Sequence, residues 1–259
     1  MAAPPADNPA VAADTRVSFI PLEANPELMT SLLHKLGVSP ALAVHDVYSL
    51  TDADMLAFVP RPALALLLVF PVSATYESAR LAEDSLLSDY HPHSTSNDDS
   101  QGAPKILWFK QTIRNACGLM GLLHAAANGP ARNFVEPGSD LDKLLKAAEP
   151  LDIPGRARLL ETDQSLANAH RGAAEQGDTA APDATDDVDL HYVTFVKTED
   201  GSLWEMDGSR KGPLLRGHLR ADEDVLSQKA LMLGPLKFLE RESGDLRFNC
   251  VALAGSSDA

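Results

Sequence analysis

Eight consecutive apolar residues, Ala63 to Phe70, stand between Pro62 and Pro71. A helix that crosses a bilayer needs roughly 18 or more such residues, and no run in the chain approaches that length. The segment therefore reads as a buried strand, which needs a core around it. With 259 residues and 44% apolar content, the chain can supply one substantial core in a single α/β domain.

Elements on either side follow from local chemistry. Asn25 caps a helix that starts at Pro26, and Leu28, Leu32, Leu33 and Leu36 recur at helical spacing before Gly37. His45 to Leu50 reads as a short strand, and Thr51 with Asp54 resembles a capping box for a short helix toward Val59. A helix is predicted over Ser73 to Leu87, then a surface loop over 88–104. The segment from Ile106 runs into a helix apolar on nearly every side, ended by Asn128 and Gly129, in which Gly118 and Gly121 permit close backbone approach. Helices are expected at Leu141 to Ala148, at Gly155 to Thr162, and over Ala221 to Glu240 with a break near Gly234. Residues 163–189 hold two large aliphatics, Leu166 and Val188, and read as a long loop. His191 to Asp207 forms a hairpin with its turn at Asp200 and Gly201, and Leu246 to Leu253 alternates as a last strand.

Composition narrows the function. Residues 1–16, rich in Ala, Pro and Asp, read as a disordered leader, and they lack the basic start and apolar stretch of a secretory signal. Two cysteines, Cys117 and Cys250, make neither a disulfide framework nor a zinc-ligand set, so a reducing compartment suits them. The expectation is a soluble monomer of the cytoplasm, with the nucleus also open to it. A formal charge of -15 argues against nucleic acid as a partner and fits solubility or a basic partner. His91 and His93 lack a carboxylate or cysteine framework, so no metal or other cofactor is expected.

Cys117 sits where a loop becomes a helix, and the partial positive charge of a helix N-terminus favours an ionised thiol. From position alone, one more small apolar residue in a buried helix is the commoner reading. His191 opens the first strand of the hairpin and Asp207 closes the second, so the turn brings both to one end of the sheet as a base and its orienting carboxylate. Separately, a strand-end histidine is more often a surface residue, and an aspartate before Gly208 a turn former. Gln111 can supply a side-chain amide to an oxyanion. Only the four together shift the balance. Cys250, on an alternating strand, and His124, on the apolar helix, read as packing residues.

FKQTIRNACGLMGLLHA, from Phe109 to Ala125, resembles the nucleophile segment of the ubiquitin C-terminal hydrolases. DLHYVTFVKTEDGSLWEMDG, from Asp189 to Gly208, is similar to that family's histidine and aspartate segment. FIPLEANPE, VPRPALALLLVFP and LRFNCVAL are similar to further blocks, so the resemblance spans residues 17 to 253 within a domain at 17–255. It implies Cys117 as nucleophile, His191 as general base and acid, Asp207 as orienting residue and Gln111 as oxyanion donor. The implied fold is a papain-like α/β core, a central, mainly antiparallel sheet flanked by helices in a knotted topology. The implied activity is removal of small or disordered adducts from the C-terminal glycine of ubiquitin, or of a ubiquitin-like modifier, with 163–189 as a crossover loop that restricts leaving groups. Glu23 and Asp46 match positions near the ubiquitin-binding surface, and the acidic charge suits ubiquitin's basic tail. The chain departs from the family pattern at Leu119 and Trp204. A non-enzymatic ubiquitin-binding protein and a general papain-like peptidase remain the rival expectations.

Overall fold

The computed structural model describes residues 17–88, 90, 106–177, 183–184, 186, 188–241 and 247–256. The leader, His91, His93 and nearly all of the 88–104 loop lie outside the described residues. Among the described residues, one six-stranded sheet organises the chain. Its strands are β1 (Leu42–Asp46), β2 (Ala65–Pro71), β3 (Leu190–Lys197), β4 (Ser202–Met206), β5 (Leu214–His218) and β6 (Asn249–Gly255). They lie in the order β1-β6-β2-β3-β4-β5, and every neighbouring pair is antiparallel.

The apolar run becomes β2, near the middle of the sheet and buried throughout. Side chains alternate across a strand, so one that is apolar at every position must be covered on both faces. Ala65, Leu67 and Val69 face one hydrophobic core, while Leu66, Leu68 and Phe70 face another. Burying each leucine contributes about 1.5–3 kcal/mol, which holds a layer against each face.

The first layer contains α1 (Pro26–Leu36), α4 (Cys117–Ala127), α5 (Asp140–Ala148), α6 (Ile153–Thr162) and α7 (Gln164–Ala174). The second contains α2 (Ala53–Leu56), α3 (Ala74–Ser85), α8 (Gln228–Leu233) and α9 (Pro235–Arg241). Helix α4 lies directly on β2 and β3. A Cβ at Gly121 would stand 3.1 Å from both Leu67 Cδ2 and Thr194 Oγ1, so the glycine is what lets the helix sit this close. Helix α1 is capped as the sequence indicates: Asn25 accepts from the amides of Glu27 and Leu28, and Gly37 closes it at φ 104°.

Several elements depart from expectation. The first strand is Leu42–Asp46 rather than 45–50, because pairing with β6 fixes its register and the Val44 amide is also bound by Thr30 Oγ1 at 2.8 Å. The cap of α2 is Asp52, which accepts from the amides of Asp54 and Met55, rather than Thr51. The helix read over 221–240 begins only at Gln228, after a turn in which Asp224 binds Arg61 and the amides of Ala63 and Leu226. Strand β5 carries too little alternation in LLRGH to be seen in the sequence.

Residues 163–189 are not one long loop. Gln164–Ala174 form α7, which is capped by Asp163, lies against α1 and buries Leu166, Ala169, His170 and Ala173. Large aliphatics are unnecessary here, because alanine is the best helix former and small side chains suffice between closely packed helices. Of the remainder, residues 175–177, 183–184, 186 and 188–189 are described, and none of these lies in a helix or strand.

Candidate active site

Helix α4 begins at Cys117 itself, and no side chain caps it. The preceding Asn115 adopts φ 57°, and its side chain donates to the carbonyls of Ala184 and Asp186, both at 3.0 Å. The loop before Cys117 is thereby tied to Ala184 and Asp186. The amides of the first helical turn are those that a helix leaves unpaired, so they are available beside the sulfur. Cys117 is half-buried and its Sγ lies 3.8 Å from the Leu190 carbonyl.

His191 follows directly on β3, paired with Phe70 of β2. Its Nε2 meets Asp207 Oδ1 at 2.8 Å, which leaves the other ring nitrogen, Nδ1, without a carboxylate partner, and Cys117 stands near enough to favour the charged ring. Burial disfavours the charged ring, but the Asp207 charge and hydrogen bond, with a smaller contribution from Cys117, outweigh it and hold His191 well above the ordinary imidazole range. Burial works against the Asp207 carboxylate as well. His191 and the donors on Ser209 outweigh it and hold Asp207 well below the usual range.

Asp207 lies fully buried at the end of β4. Oδ1 also accepts from Ser209 N at 2.8 Å and Ser209 Oγ at 2.7 Å, which makes Asp207 both the turn former and the histidine's partner. The turn is joined to the segment before α4, since Trp108 Nε1 donates to the Asp207 carbonyl at 3.1 Å and the Gln111 amide to the Gly208 carbonyl at 2.9 Å. Behind it, the fully buried Arg210 reaches Asp84 and Glu83 at 2.7 Å and Glu205 at 3.3 Å. Gln111 thus reaches the site through its backbone. Its Nε2 donates to the Ile113 carbonyl at 3.2 Å, and its buried Oε1 has no partner among the described residues.

A cavity of about 360 Å³ opens at Cys117, bordered by Leu22, Glu23, Asn115, Ala174, Val188 and Tyr192 among others. Glu23 therefore shares a cavity with Cys117. Asp46 is not; it lines a separate groove with Tyr48 and Phe248. Cys250 belongs to the second core, where burial pushes its thiol up to about 12. His124 is pushed down to about 4 by burial, and its Nε2 accepts from the Phe109 amide at 3.0 Å. Both are the packing residues the sequence suggests. Tyr76, whose hydroxyl donates to Asp207 Oδ2 at 2.8 Å, and Ser209 carry no sign of their place in the sequence.

The family model for ubiquitin carboxyl-terminal hydrolase, family 1, matches residues 19–233. This chain belongs to that family. The ubiquitin C-terminal hydrolase YUH1 of Saccharomyces cerevisiae is 35% identical over 231 residues, covering 86% of this chain and 89% of its own length. Hydrolase 3 of Arabidopsis thaliana is 34% identical, covering 91% and 94%, and isozyme L1 of Rattus norvegicus is 36% identical, covering 90% and 96%. In fold, this hydrolase matches the catalytic domain of Trichinella spiralis UCH37, solved bound to ubiquitin vinyl methyl ester, with a TM-score of 0.67 over 92% of this chain and 96% of that one at 19% identity.

Proposed function

We propose that the chain is a thiol-dependent hydrolase that releases adducts from the C-terminal glycine of ubiquitin, with Cys117, His191, Asp207 and Gln111 in the roles the sequence assigns. The observation that carries this reading is the buried His191–Asp207 pair at 2.8 Å, with Cys117 at the start of α4 near enough to favour the charged ring. The Cys117 proton passes to His191 Nδ1, and the sulfur attacks the carbonyl carbon of the terminal glycine. Negative charge on the carbonyl oxygen meets the Cys117 backbone N–H at the helix start and the side-chain amide of Gln111. His191 returns the proton to the leaving amine, and the C–N bond breaks to leave a thioester. Water, deprotonated by His191, then attacks the thioester and frees the carboxylate and the thiol.

The charge of -15 and the place of Glu23 on the cavity support a basic substrate tail. Asp46 acts, on this reading, at a contact outside the Cys117 cavity. The segment after α7 limits leaving groups by size, a role supported by Gly177 and Val188 on the cavity wall. Lengthening it with Gly and Ser should improve cleavage of bulkier adducts, and unchanged size selectivity would count against the role. A thiol nucleophile fits a reducing compartment such as the cytoplasm or nucleus. Incubation with ubiquitin vinyl methyl ester under reducing conditions should give one covalent adduct, mapped to Cys117 and lost in Cys117→Ala. An intact chain that gives no adduct defeats the proposal.

A further inference from the structure

The two oxygens of the Asp207 carboxylate are held differently. Oδ1 takes His191 Nε2 and two donors from Ser209, all within a short stretch of the same hairpin and turn. Among the described residues, Oδ2 has one side-chain donor, the Tyr76 hydroxyl of α3, a helix 131 residues away in sequence. Tyr76 is 2% exposed, and its ring stands edge-on to Phe70 at 4.8 Å and 6.3 Å from the His191 ring. Turning the carboxylate about its Cβ–Cγ bond would break the Tyr76 and His191 contacts together.

We propose that Tyr76 is a positioning residue of the hydrolase: its hydroxyl fixes the plane of the Asp207 carboxylate, and through it the ring of His191, from the opposite core layer. The proposal rests on the hydrolytic reading above. Burial first, then the Asp207 charge, raise the phenol far above its ordinary range, so the hydroxyl keeps its proton and stays a donor. Without it, Oδ2 is an ionised oxygen with no side-chain donor in a site closed to water, and only the contacts at Oδ1 oppose rotation.

The test is a double-mutant cycle on turnover of a ubiquitin C-terminal amide reporter, with active enzyme counted by reaction with ubiquitin vinyl methyl ester. Tyr76→Phe keeps the ring and its packing, and should lower kcat about 10- to 100-fold, the worth of one hydrogen bond to a charged group, with KM within about twofold. In an Asp207→Asn background the same substitution should change kcat less than about twofold, because the carboxylate it orients is gone. Unchanged kcat in the single variant, or losses that multiply in the double one, overturn the proposal. If Tyr76→Phe does not fold, 3-fluorotyrosine at position 76 keeps the ring and hydroxyl but alters the donor's strength; a kcat equal to wild type then overturns it and a changed one supports it. Rates of Cys117 alkylation by iodoacetamide, read in the same variants, need no ubiquitin. A loss there beside a wild type inactive on ubiquitin would sink the substrate assignment and leave the positioning role standing.

Discussion

Gly208→Ala isolates the joint between the two halves of the site. A Cβ there would lie 2.9 Å from Gln111 Cβ, 3.2 Å from Gln111 N and 3.3 Å from the Phe109 carbonyl oxygen. Carbon atoms rest about 3.5–4.0 Å apart, so the turn and the 109–111 segment must separate by roughly 0.6–1 Å. The crowded atoms are backbone and the root of a side chain, which a rotamer change cannot clear. The Gln111 amide bond to the Gly208 carbonyl, now 2.9 Å, and the Trp108 bond to the Asp207 carbonyl, now 3.1 Å, stretch together. Overpacking of this kind costs about 1–3 kcal/mol, while a misplacement of about 1 Å costs on the order of 10²-fold in rate. The expected variant is folded, melts a few degrees lower, and turns over the amide reporter 10- to 100-fold more slowly, by the same order-of-magnitude estimate. Gly138→Ala is the control: with φ 79° and nothing within 4 Å, it strains the backbone away from the site and should lose stability without losing kcat. A Gly208→Ala enzyme with wild-type kcat, or one slowed no more than its control, refutes the reasoning.

Gln111→Ala should slow turnover by about 10²- to 10³-fold if its amide receives the oxyanion, and ordinary kcat measurements decide it. Arg210→Met removes one of the cations shared by Glu205, Glu83 and Asp84, which keep Arg216 and Arg80, and should cost about 1.5–3 kcal/mol in denaturant unfolding; a loss below about 1 kcal/mol would contradict a structural role. The His191–Asp207 pair also has a pH signature. His191 is raised, so its contribution is full below the unfolded imidazole value near 6.5 and is lost as pH rises through the folded value. Asp207 is depressed, so its contribution is full above the unfolded value near 3.8 and is lost as pH falls through the folded one. The stability difference between wild type and Asp207→Asn should therefore be greatest between about pH 4 and 6.5 and shrink on both sides, and a difference independent of pH would refute the ion pair.

Much of this was legible because the signals were local. The run at 63–70, the Asn25 and Gly37 caps, and the hairpin with its turn at Gly201 each depend on residues close in sequence, and each stands as read. Helix α7 escaped notice because its buried face is mostly alanine, which marks a helix only once a neighbour is known. Strand β1 was misplaced because its register is set by β6, some 200 residues away, as Asp46 pairs with Val251. In the site, Cys117, His191, Asp207 and Gln111 were legible as types in an order, whereas Tyr76 and Ser209 act through three-dimensional contacts that no spacing announces.

The central strand with its two covers has a further meaning for the enzyme. Cys117 rides on a helix of the first layer, while the rings around His191, Phe70 and Tyr76, belong to the second, so the candidate site spans the end of the sheet. The reaction thus works as a gauge of registration between two cores that fold against opposite sides of one sheet. A substitution deep in either core, harmless to the fold, is read out as turnover once it slides one layer past the other. Tolerance to change should be narrower for activity than for folding, even at positions far from the thiol.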